Sequence, residues 1–197
     1  PTGTPAANDL VADLEEAVGT YGGLLVVDEA YGEFAAEGAA GLVSEDCSVV
    51  VSRTFSKTWA MAGARLGYLI APTWCVAELE KVALPYHLDA LKLEIGVLAL
   101  GYVDAMSERV ERLVAERERM ATALDGLAVT TWPSAANFIL LRPDSRPGRE
   151  VWQDLVERSV LVRDFTTMPG LEECLRVTIG SRVENDMFLD ALREVLR

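Results

Sequence analysis

Ser52, Arg53, Thr54, Ser56 and Lys57 crowd one short stretch of this sequence, and Arg65 follows closely. Three hydroxyls and three cations in one loop suit a bound anion, most naturally a phosphate. A lysine in that company can act as a phosphate clamp, a base or a Schiff-base nucleophile. The loop lies between two apolar runs, Val49–Val51 and Leu66–Ala71, each expected to form a buried strand.

A second stretch lies upstream. Leu24-Leu25-Val26-Val27 ends in Asp28, and Tyr31 follows three positions later. Short apolar runs of this kind read as buried strands of a parallel sheet, and open α/β sheets bind ligands at the carboxyl ends of their strands. Asp28 and Lys57 both sit just past such ends. Alone, Asp28 suits a turn or a cap equally well. Together the two loops offer a carboxylate for a ring nitrogen, a lysine for an aldehyde, and hydroxyls with Arg65 for a phosphate. That is the set pyridoxal 5'-phosphate (PLP) requires.

The ordered motifs extend over nearly the whole chain. They are Pro1-Thr2-Gly3, Asp28-Glu29-Ala30-Tyr31, Ser52 to Lys57 with Ala62-Gly63 and Arg65-Leu66-Gly67-Tyr68, Leu84-Pro85-Tyr86, Ala136-Asn137-Phe138, Val162 to Phe165, and Leu175 to Gly180. On these the chain resembles the C-terminal portion of the fold-type I PLP-dependent aminotransferases, and within them the histidinol-phosphate aminotransferases. The resemblance implies that Lys57 forms the Schiff base and moves the proton at the substrate α-carbon. It implies that Asp28 holds the ring nitrogen, Tyr31 the ring O3′, and Thr54, Ser56 and Arg65 the phosphate. Arg53 stays unassigned.

Arg176 lies inside an apolar strand, where a charge demands a partner. By resemblance that partner is a substrate carboxylate; an internal pair with a local glutamate is the alternative. Arg163 faces the distal group of the substrate by resemblance, or else pairs with the neighbouring Asp164. Asn137 lines the same pocket mouth, or else simply satisfies backbone groups. His87 has no ligand set around it, and no metal site is expected.

The 197 residues carry a net charge of −13 and one histidine, which argues against nucleic acid and against an anionic membrane surface. Cys47, Cys75 and Cys174 are isolated, so neither a disulfide framework nor a zinc site is supported. With no signal peptide and no apolar run of membrane-spanning length, a cytoplasmic location is expected.

The fold expected is α/β. A mostly parallel sheet, half of a PLP-binding major domain, occupies residues 1–96; a long linking helix and a small α+β domain occupy 97–197. Asn8 or Asp9 is expected to cap the first helix. A helix from about Ala105 to Leu127 is expected to bury Met106, Val110, Leu113, Val114, Met120, Ala121 and Leu124. In the family an asparagine precedes Pro-Thr-Gly and contacts the cofactor; it is absent here, so the sequence reads as a fragment, inactive by itself.

The activity implied is transamination between histidinol phosphate, or a similar amino donor, and 2-oxoglutarate, in histidine biosynthesis, by a homodimer. The alternatives are an aromatic amino-acid aminotransferase, a phosphate-amino-acid decarboxylase of the same fold, and a non-catalytic PLP-fold binding module.

Overall fold

The computed structural model describes residues 2–197; Pro1 of the Pro-Thr-Gly motif lies outside the described residues. The chain forms two compact units, one of residues 6–110 and one of residues 111–197 joined by residues 2–5.

The unit of residues 6–110 is built on a three-stranded sheet in the order β1 (Leu25–Asp28), β2 (Val49–Thr54), β3 (Gly67–Ile70). β1 and β2 run parallel, with Asp28 opposite Ser52. β3 is antiparallel to β2, with Tyr68 opposite Arg53. The sheet is therefore mixed, not continued in parallel at this strand. A parallel return needs a crossover, usually a helix. The connection from β2 holds only a short 3-10 turn at Ala62–Ala64, so the chain folds straight back.

Burial also departs from expectation. β2 is fully buried at Val49, Val50 and Val51. β1 hides one face: Leu25 and Val27 pack with Val11 of helix α1 (Asn8–Gly19) and with Ala39, Val49 and Val51. Its other face, with Val26, is exposed, as are Tyr68 and Leu69 of β3. The residue before α1 is Ala7, and no side chain caps that helix. Helix α2 spans Thr73–Glu80. Helix α3 (Ala90–Ala99) is capped by Asp89, whose carboxylate accepts from the Lys92 amide at 2.9 Å.

Helix α4 (Val103–Asp125) begins in one unit and ends in the other. Met120 and Leu124 are fully buried, and the other expected core positions are half-buried. The second sheet is antiparallel throughout, in the order β4 (Val129–Thr131), β5 (Phe138–Pro143), β7 (Leu175–Thr178), β6 (Arg163–Asp164). Helices α5 (Gly148–Glu157) and α6 (Arg182–Val195) supply the rest of its core. Strand alternation sends Leu175 and Val177 into that core and leaves Arg176 on the opposite face. A capping box of Ser181 and Glu184 starts α6. Among the described residues, no helix is long and apolar enough to cross a membrane.

Candidate active site

The ends of β1 and β2 bring the first group of residues together. Glu29 N–H donates to the Ser52 carbonyl at 2.9 Å, which continues the parallel register one residue past Asp28. Asp28 Oδ1 accepts from the Ala30 amide at 2.9 Å and from Ser52 Oγ at 3.4 Å. The carboxylate is thus turned by its own loop, while Oδ2 has no hydrogen bond among the described residues. A pyridinium N–H would meet a ready acceptor there.

Lys57 Nζ lies 5.1 Å from the centroid of the Tyr31 ring, so the lysine and the phenol from the two loops meet. Thr54 Oγ1 donates to the Leu66 carbonyl at 3.3 Å and accepts from the Ser56 amide at 3.1 Å. Its hydroxyl is committed to closing the loop. Ser56 Oγ has no such commitment among the described residues. Arg65 takes a left-handed conformation (φ 49°), uncommon outside glycine, and anchors one nitrogen on the Ala62 carbonyl at 3.1 Å. The rest of its exposed guanidinium remains available to an anion. Lysine, free carboxylate oxygen, free hydroxyl and exposed guanidinium suit a phosphorylated pyridine aldehyde in charge and donor type.

Arg53, which the sequence left unassigned, is an internal partner. Its Nε and Nη2 both donate to Glu29 Oε2, at 2.9 and 2.8 Å. Glu29 Oε1 accepts from the Ala39 amide. Burial pulls the Arg53 pKa down, but hydrogen bonds to Glu29 and Tyr68 outweigh it and the net direction is upward. Glu33, close to the same pair, is pushed up, chiefly by burial. Glu29 is a residue that sequence reasoning missed. Its signal was the acid directly after Asp28, with Gly32 and Gly38 spaced around it.

The unit of residues 111–197 carries the second group. Arg163 and Arg176 stand directly opposite each other across the β6–β7 pair. Neither forms an ion pair among the described residues. Arg176 stacks on Phe138 at 4.5 Å and on Phe165 at 5.3 Å, and its Nε is buried with no hydrogen-bond partner. Arg163 lies 5.8 Å from the same Phe165 ring. Asp164, the neighbour expected as an alternative partner for Arg163, is bound instead by Arg149 and by the Thr166 amide and hydroxyl at 2.8 and 2.7 Å. The Asn137 carbonyl accepts from the Ile179 amide, while its side-chain amide makes no hydrogen bond among the described residues. Like charges facing each other across a strand pair repel. An anion between them would remove that repulsion and satisfy the orphaned Nε.

The chain that carries the lysine loop and the facing arginines matches the model of aminotransferase class I and II over residues 1–192. It belongs to that family. Among individual proteins, it is similar to the histidinol-phosphate aminotransferase of Geotalea uraniireducens (strain Rf4), 39% identical over 182 residues, which cover 92% of this chain and 52% of that protein. It is also similar to the crystal structure of histidinol-phosphate aminotransferase from Sinorhizobium meliloti in complex with pyridoxal-5'-phosphate. That likeness has a TM-score of 0.85 at 25% identity, covering 100% of this chain and 55% of that one. The L-threonine-O-3-phosphate decarboxylase of Porphyromonas gingivalis shares the fold, with a TM-score of 0.86 at 23% identity over 100% of this chain and 61% of that one. The chain spans about half the length of the curated relatives it matches.

Proposed function

We propose that this chain is the lysine- and arginine-bearing part of a PLP-dependent transaminase that works between histidinol phosphate, or a similar amino donor, and 2-oxoglutarate. The observation that carries the reading is the facing pair Arg163 and Arg176, aromatic-stacked and without an acidic partner among the described residues. Two unneutralised cations on adjacent strands suit a substrate with an anion, or a partner substrate with two. Histidinol phosphate carries a phosphate and no carboxylate; 2-oxoglutarate carries two carboxylates.

Each unit brings its own share of the chemistry. PLP, when bound, supplies an electron sink for the substrate α-carbon. Lys57 would hold the cofactor at its aldehyde carbon, and its amine would move the proton at the substrate α-carbon. Asp28 keeps the proton on the ring nitrogen, and Tyr31 donates to the ring O3′. Ser56 and Arg65 bind the phosphate in the loop that Thr54 closes. Arg176 binds the carboxylate of 2-oxoglutarate, Arg163 binds the distal anion, and Asn137 completes the substrate contacts. The domain division at 96/97, the cytoplasmic location, the homodimer and the role in histidine biosynthesis belong to the same proposal. So does the expectation that residues 1–197 alone turn over no substrate.

The named relatives by sequence are aminotransferases, which favours transamination over decarboxylation. Steady-state kinetics on the full-length protein test the reading. Each arginine is expected to contribute charge-assisted hydrogen bonds of about 1.5–3 kcal/mol. Arg176→Ala should cripple the half-reaction with 2-oxoglutarate, whose carboxylate it binds. Arg163→Ala should raise KM for histidinol phosphate far more than for a neutral aromatic amino acid. Equal losses with both donors would remove Arg163 from the distal-anion role and favour an aromatic amino-acid aminotransferase.

A further inference from the structure

Glu29 and Arg53 contact none of the groups assigned above to cofactor or substrate, yet they are tied to the residues that do. Glu29 directly follows Asp28, and Arg53 directly follows Ser52, the residue opposite Asp28 in the parallel ladder. Arg53 in turn stands opposite Tyr68 of β3 in the antiparallel ladder. The Glu29 carboxylate is 7% exposed and is bound at both oxygens, by Arg53 on one and by the Ala39 amide on the other. The chain around it leaves no spare room: a Cβ on Gly32 or on Gly38 would stand 2.8 Å from Glu29 atoms. A buried ion pair is weak as a stabiliser, because desolvation offsets its attraction, but the guanidinium fork fixes direction.

We infer that the Glu29–Arg53 pair is a positioning clamp, which holds Asp28 in register with the Ser52–Lys57 loop at the site end of all three strands. Its consequence for the cofactor rests on the function proposed above; its consequence for the protein without cofactor does not. Glu29 and Arg53 are positioning residues, since they act through Asp28 and Lys57.

Amide hydrogen exchange and cofactor binding, both on the full-length protein, test the clamp. The variants are Glu29→Gln, Arg53→Lys and the double variant Glu29→Met/Arg53→Met, which removes both members of the pair together and so avoids leaving either one buried alone. Without cofactor, the Ala30 and Ser56 amides, which report the Asp28 turn and the lysine loop, should exchange about tenfold faster in each variant. The Val50 and Leu140 amides should keep wild-type rates. With PLP, the same variants should bind about tenfold more weakly, with a shifted absorption band and a lower borohydride-trapped yield on Lys57. Wild-type exchange at Ala30 and Ser56 would overturn the inference. Uniform acceleration across β1 and β2 would also overturn it, since that marks a general stability role. If wild-type protein fails to link PLP to Lys57, the proposed function falls, and the exchange data still decide the clamp.

Discussion

The two units differ in how they use apolar surface. In residues 111–197, Leu141, Leu155, Leu175, Leu192 and their neighbours form one closed core in which several side chains are fully buried. In residues 6–110, the cluster around Val11, Ala39, Val49 and Val51 is small, while Val26, Leu69 and much of α3, with Leu91 at 75% and Val97 at 65% exposure, stay open. Open apolar faces of this kind mark surfaces that pack against something else. The arginine pair thus stands on a platform that is complete in itself. The lysine loop instead hangs on a thin sheet and must be fixed locally, by the Asp28 turn, the Thr54 hydroxyl and the buried Glu29–Arg53 pair.

Core truncation should show this contrast most strongly. Leu192→Ala removes a fully buried side chain and should cost about 2–5 kcal/mol. Denaturant unfolding read from Trp132 or Trp152 fluorescence measures it. Val26→Ala, at a position 61% exposed, should cost under about 0.5 kcal/mol when read from Trp59 or Trp74. Equal losses at the two positions would break the comparison.

A smaller effect is expected at Asp164. Burial pushes its carboxyl up, but the Thr166 hydroxyl and amide and then Arg149 pull harder, and the net direction is below the ordinary value near 3.8. Arg149 is 53% exposed, so the Thr166 bonds carry most of the weight. A lowered folded pKa means stability that is full above the unfolded value and lost as pH falls through the folded one. Asp164→Asn should therefore cost about 1–2 kcal/mol at pH 7. The gap to wild type should shrink in thermal melts below about pH 4. A gap that stays constant across that range would remove Asp164 from the acid limb.

Much of this arrangement was legible in the sequence. The apolar runs located the ends of β1 and β2, and so placed Asp28 and Lys57 in neighbouring loops. The apolar run from Leu175 to Ile179 placed Arg176 inside a strand, and the structure added which face it takes. The direction of β3 was not legible, because an apolar run carries no sign; the helix-free connection from β2 decided it. The exposure of Val26 and Leu69 was not legible either. Apolar composition says that a face suits burial and leaves open what covers it. Arg53 was visible but could not be assigned, since its partner Glu29 is adjacent only across the strand ladder.

Chemical trapping reads the role of Lys57 directly. The full-length protein is mixed with PLP, reduced with borohydride, digested and mapped by mass spectrometry. The pyridoxyl group should appear on Lys57, and Lys57→Ala should abolish both labelling and turnover. Asp28→Asn should keep the label while losing most turnover. A pyridoxyl group on any other lysine, or labelling that survives in Lys57→Ala, would contradict the account.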